Sequence, residues 1–162
     1  MLLPNWVKSL LARVTALEES GGSPVVPHHA EIALAHLTQT TGTTAAALFD
    51  TYGEYIQPAT PANGQVLLGS FALRAGTYKL TVVGFSNPDF GRTDIKIDGA
   101  VVATFDWYAG SFARSIKTEA SVAITGDIVH KLEVVVNGQN GSSVGYSYGL
   151  IRLIMSNSSE GT

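Results

Sequence analysis

The sequence predicts an all-β fold, a two-sheet antiparallel sandwich, preceded by one short coiled-coil-like α-helix. Three observations predict it. From Ala30 onward, apolar residues recur at every second position in short runs. Turn residues such as Asp98-Gly99 punctuate those runs. No helix-period stretch of about ten residues separates them, which excludes alternating strand-helix units.

The helix comes first. In "LPNWVKSLLARVTAL", Leu3, Val7, Leu10, Val14 and Leu17 alternate at steps of four and three, with Val at a and Leu at d of a heptad. Pro4 suits a first turn, where its missing N–H costs nothing, and Gly21-Gly22 ends the helix. Two heptads, about 25 Å long, are marginal in isolation. The stripe must therefore be covered by its own β-domain, by copies of itself in a parallel bundle, or by a membrane surface. Trp6 and Leu11 widen it beyond a lean dimer seam. The expected role is oligomerisation or anchoring through Leu3, Trp6, Val7, Leu10, Val14 and Leu17, with a homotrimer as the expected state. The predicted organisation is a helix at 1–20, a Gly/Pro linker at 21–29, a sandwich at 30–157 and a flexible tail at 158–162.

The predicted strands are "AEIALAHL", "AAALF", "GEYIQ", "QVLLGSFAL", "TYKLTVVGF", "TDIKID", "VVATFDW", "SFARSIKT", "SVAIT", "IVHKLEVVVN" and "YSYGLIRLIM". Tyr78, Leu80 and Val82 alternate with Lys79 and Thr81, and Leu132, Val134 and Val136 share a face. Asp98-Gly99 between "IKI" and "VVATF" is a two-residue hairpin signal, because both positions favour positive φ.

Bulk properties narrow the function. The chain has 162 residues, 45% apolar and 14% charged, with a net charge of −3. An acidic balance argues against nucleic acid, which needs a basic face to replace phosphate counterions. The absence of cysteine removes disulfide and thiolate chemistry. No run approaches the roughly 18 consecutive apolar residues of a membrane span. The first residues do not read as a signal peptide, because Lys8 and Arg13 interrupt the apolar run.

Two segments carry a family resemblance. "LRAGTYKLTVVGFSNPDFGRTDIKIDGAVVATFDWYAGS" and "IVHKLEVVVNGQNGSSVGYSYGLIRLIMS" resemble the galactose-binding-like jelly roll of carbohydrate-binding modules. The shared pattern is a Gly-Thr-Tyr strand, an Asp-Gly hairpin and a closing aromatic-glycine strand, over roughly residues 65 to 155. The resemblance implies a jelly-roll sandwich. It also implies a structural calcium at a first-strand glutamate, here Glu31, against the simpler reading of Glu31 as a solvated edge charge. No other cofactor is expected.

Catalytic motifs are absent: there is no G-x-S-x-G elbow, P-loop or dinucleotide fingerprint. Adjacent His28 and His29 point opposite ways on an extended chain, so they do not converge on a metal. His130 falls in phase with Leu132 and Val134 and reads as a core-edge residue. No enzyme is expected.

The candidate ligand site lies in "SNPDFGRTD" and "DWYAGSF". Phe90, Trp107 and Tyr108 supply flat faces for a pyranose, and Asn87, Asp89, Arg92 and Asp106 supply directional hydrogen bonds. The opposing reading buries Trp107 and Tyr108 in the core or a subunit contact. A helix, linker and compact sandwich resemble the plan of phage head fibres, capsid decorations and small tail spikes. That resemblance implies a protein of the virion surface, bound to capsid or tail proteins and displaying a domain for host glycans. The alternative is a carbohydrate-binding module of a secreted or cell-surface protein.

Overall fold

The computed structural model describes residues 28–39, 45–50, 53–58, 60–126 and 128–157. The expected helix with its stripe, most of the linker and the tail lie outside these residues. The described chain forms β1 (His29–Ala33), a 3₁₀ turn (Leu34–His36), β2 (Thr38–Gln39), β3 (Ala45–Asp50) and β4 (Gly53–Pro58). Then follow β5 (Val66–Ala72), β6 (Gly76–Ser86), β7 (Gly91–Ile97) and β8 (Ala100–Asp106). The last three are β9 (Ala113–Ile124), β10 (Val129–Gln139) and β11 (Gly149–Asn157).

Two antiparallel sheets face each other. One has the order β3-β4-β11-β6-β9, with β1 also paired to β11; the other runs β2-β5-β10-β7-β8. The chain repeatedly crosses between them, which gives the jelly-roll sandwich. Period-two alternation decides which side chains meet in the middle. On β10, His130, Leu132, Val134 and Val136 point inward and are buried. Leu80 and Val82 of β6, Ile95 of β7, and Leu150, Leu153 and Met155 of β11 meet them in one apolar core.

The Asp98-Gly99 hairpin is present, with φ of 51° and 84° and Ile97 opposite Ala100. Three predicted runs are divided differently. The run "AEIALAHL" is not one strand: β1 stops at Ala33 and the 3₁₀ turn inserts fully buried Leu34. The break is needed because β1 and β2 belong to different sheets. Conversely, "SFARSIKT" and "SVAIT" fuse into β9. The pairing slips from Tyr78↔Val122 to Leu80↔Glu119, so β9 spends one extra residue there. Such a bulge inverts the apolar alternation without ending the strand.

Candidate functional site

Three loops meet at one end of the sandwich: 87–90 between β6 and β7, 107–112 between β8 and β9, and 140–148 between β10 and β11. Their backbones are tied to one another. Asn87 N donates to Trp107 O at 3.1 Å, and Ala109 N to Asn87 O at 3.3 Å. Val144 N donates to Pro88 O at 3.1 Å, Ser147 N to Asp89 O at 3.1 Å, and Gly91 N to Ser147 O at 2.8 Å. Ser143 Oγ adds a bond to Phe90 O at 2.8 Å. Close approach is possible because Gly145 lacks a side chain: a Cβ there would meet Asp89 O at 2.8 Å.

Polar side chains brace this end. Asn87 Nδ2 donates to Asp89 Oδ1 at 2.6 Å. Asp106 accepts from the Tyr108 backbone N–H at 2.9 Å and from Asn140 Nδ2 at 2.6 Å. Tyr148 is buried beneath; its hydroxyl has no hydrogen-bond partner among the described residues. Burial pushes that phenol up to about 12.

The structure brings Asn87, Asp89, Asp106 and Tyr108 together, all half-buried, in this loop cluster. Arg92 is exposed and sits opposite Asp106 in the β7–β8 pairing. Phe90 and Trp107 do not offer ring faces to solvent, which corrects their expected stacking role. Phe90 is 2% exposed and Trp107 is 0% exposed. Trp107 extends the inward phase of Ala103 and Phe105, meets Phe105 edge-on at 6.2 Å, and donates from Nε1 to Thr93 Oγ1 at 2.8 Å. The reading of Trp107 as core is therefore the right one.

The exposed aromatic of this end is one the sequence reading did not select. Phe112 is 57% exposed and stacks on buried Phe85, with centroids 4.9 Å apart and planes 22° apart. Half-buried Tyr55 of β4 meets Phe85 edge-on at 5.0 Å. Gly149 lets the rings settle, since a Cβ there would touch Phe85 and Phe90 at 3.1 and 3.2 Å. Gln57 Nε2 reaches Ser147 Oγ at 3.4 Å, joining β4 to the loop cluster. A signal did exist: Val83 and Phe85 are large, apolar and out of phase with inward Leu80 and Val82, so their face needs cover. The arrangement presents an aromatic shelf beside amide and carboxylate groups, a pairing suited to the C–H face and hydroxyls of a sugar.

Glu31, the residue expected to hold a calcium ion, is ion-paired. Its Oε1 lies 3.0 Å from Arg152 Nη1, so a guanidinium takes the place beside it. Among the described residues, no three acids or histidines group closely enough to hold a metal. Glu31 is thus an ion-paired charge on β1. No helix among the described residues is long and apolar enough to cross a membrane.

No family model matches the chain, and no curated protein does. Solved structures do. The chain is similar to the CBM36-1 domain of a multidomain xylanase from the hindgut metagenome of Trinervitermes trinervoides. That match has a TM-score of 0.63 and 22% identity, covering 80% of this chain and 97% of that one. It is similar to the carbohydrate-binding module CBM36 in complex with calcium and xylotriose, with a TM-score of 0.60 and 16% identity, covering 78% and 99%. It also matches a segment of a Paenibacillus xanthan lyase, with a TM-score of 0.68 and 20% identity, covering 83% of this chain and 14% of that one. Similarity to a phage protein, expected from the domain plan, is not shown. At these identities the likeness is one of fold, and the fold is the jelly-roll sandwich of carbohydrate-binding modules.

Proposed function

We propose that the β-sandwich is a non-catalytic glycan-binding module. Its contact surface is the loop end, with Phe112 and Tyr55 as the stacking shelf and Asn87, Asp89 and Tyr108 as the polar flank. One observation carries this reading: Phe112 holds a large apolar ring in solvent, stacked on buried Phe85, beside loops fastened to one another by main-chain bonds. A solvent-facing ring on a rigid seat costs little ordering entropy when a sugar packs on it. Two similar modules are described in complex with xylotriose and with xylose. Xylotriose is therefore the first ligand to try.

Calorimetric titration of the full chain with xylotriose, alongside a glycan array, tests the proposal. Phe112→Ala is expected to weaken binding about tenfold or more, the loss of roughly 1.4 kcal/mol, while lowering the melting temperature by no more than about 5 °C. Absence of any glycan hit for the native chain overturns it, as does equal binding by Phe112→Ala. Display on a virion surface, contact with capsid or tail proteins and a homotrimer rest on the helix, linker and sandwich plan read from the sequence. No observation among the described residues favours them over the glycan-binding module.

A further inference from the structure

The chain contains three Asn-Gly steps: Asn63-Gly64, Asn137-Gly138 and Asn140-Gly141. In such a step the glycine nitrogen can attack the side-chain amide carbon of the asparagine, because no Cβ crowds the approach. The attack requires a glycine N–H that is not already engaged. Two of the three are engaged. Gly64 N donates to Val136 O at 2.9 Å, and Gly138 N donates to Asn63 Oδ1 at 2.7 Å. Gly141 N has no hydrogen-bond partner among the described residues, and Gly141 is exposed. The local turn is the cause. Ser143 N donates to Asn140 O at 2.9 Å, closing a four-residue turn in which Gly141 is the second residue. The N–H at that position lies outside the turn's own hydrogen bond.

The Asn140 side chain is held at both ends. Its Oδ1 accepts from Ser142 N at 2.9 Å, which folds the amide back along its own backbone and polarises its carbon. Its Nδ2 donates to Asp106 Oδ2 at 2.6 Å, tying the 140–148 loop to the end of β8. We infer that Asn140 is a site of spontaneous deamidation, and that the modification unfastens this loop from Asp106. Gly141 N bonds to Asn140 Cγ, the Cγ–Nδ2 bond breaks, and the Gly141 proton leaves with that nitrogen as ammonia. The product is a five-membered imide. Water adds to one of its two carbonyls and reopens the ring. Breaking the Cγ–N bond leaves aspartate. Breaking the backbone C–N bond leaves isoaspartate, with the main chain rerouted through Cγ. Water is the only co-reactant, and nothing is oxidised or reduced. Either product removes the N–H donor from Asp106 and adds a like charge beside it. Arg92, opposite Asp106 in the pairing of β7 with β8, offsets charge at this corner but does not restore the lost bond.

The full native chain is kept at mildly alkaline pH, folded or in urea, and deamidation at each site is followed by proteolysis and fragmentation mass spectrometry. In the folded chain Asn140 is expected to react about tenfold faster than Asn63 or Asn137, whose glycine N–H must first give up a hydrogen bond. In urea the three rates are expected to converge. Gly141→Ala, whose Cβ meets nothing within 4 Å, is expected to slow the reaction at Asn140 several-fold while melting like the native chain. Asn140→Asp is expected to melt lower by about 3 °C or more. Equal rates at the three sites in the folded chain overturn the inference. So does a preference for Asn140 that persists in urea, or an unchanged rate in Gly141→Ala. An Asn140→Asp chain as stable as the native one overturns the loosening assigned to the modification.

Discussion

His130 Nδ1 lies 2.7 Å from Asp98 Oδ2, joining a ring buried on β10 to the turn that closes the β7–β8 hairpin. The carboxylate only accepts, so the ring nitrogen donates. Nε2 sits 3.1 Å from the Leu73 carbonyl oxygen at the end of β5. The other Asp98 oxygen accepts from the Lys131 backbone N–H at 2.8 Å. One turn residue thereby fastens β7, β8 and β10 together.

These bonds make stability depend on acid. The hydrogen bond from His130, then that from the Lys131 backbone, hold the Asp98 carboxyl below its usual value. A lowered folded-state value means the stabilisation is fully present above the unfolded carboxylate pKa of about 3.9. It is lost as pH falls through the lower folded value. Thermal melts of the native chain and Asp98→Asn should therefore differ at pH 7, with the variant melting lower, and the gap should begin to close only below about pH 4. A constant gap down to pH 3 would rule this linkage out.

Trp107 is a keystone of the core, not a ligand platform. Trp107→Ala is expected to cost about 3–5 kcal/mol, from lost apolar burial and the cavity left behind. Thr93→Val leaves the indole N–H buried without its 2.8 Å acceptor and should cost about 1–3 kcal/mol. Urea unfolding followed by circular dichroism measures both. A Thr93→Val variant as stable as the native chain would show that the bond contributes nothing net.

Gly145 sets the distance between two loops. An added methyl would press on the Asp89 carbonyl, so Gly145→Ala should destabilise by about 1–3 kcal/mol. The same strain displaces Asn87 and Asp89, and glycan binding should weaken with it. Gly141→Ala is the control: a Cβ there meets nothing within 4 Å, and melting should be almost unmoved.

Phe112 gives the opposite pattern. With most of its surface in water, Phe112→Ala should lower stability by roughly 0.5–1.5 kcal/mol, the worth of its stack on Phe85. A loss of several kcal/mol would mean that Phe112 belongs to the core, and its place in the proposed contact surface would fall.

Much of the sandwich was legible because alternation is written locally. The Asp98-Gly99 turn and the inward phase of His130, Leu132 and Val134 needed no partner to be read. Tyr146 and Tyr148 share a phase, and one of them, Tyr148, is core. The bulge in β9 was not legible, since only its pairing with Tyr78 and Leu80 explains the slipped pattern. Trp107 was misassigned because aromatic residues beside a turn suggest a surface. The continuing phase Ala103, Phe105, Trp107 pointed the other way. Phe112 went unselected because its seat, Phe85, lies twenty-seven residues away. Nothing local links the two.

The bonds that join the three loops run largely through main-chain atoms, from Asn87 to Trp107, from Pro88 to Val144 and from Asp89 to Ser147. Side chains in those loops that make no bond to the main chain are thus separable from the path of the backbone. On the proposed reading, substitutions at Tyr108, Val144 and Tyr146 would change what this end of the molecule binds while the main-chain bonds hold the loops in their course. Specificity of the proposed contact surface is then set by surface residues standing on loops whose course the main chain already fixes.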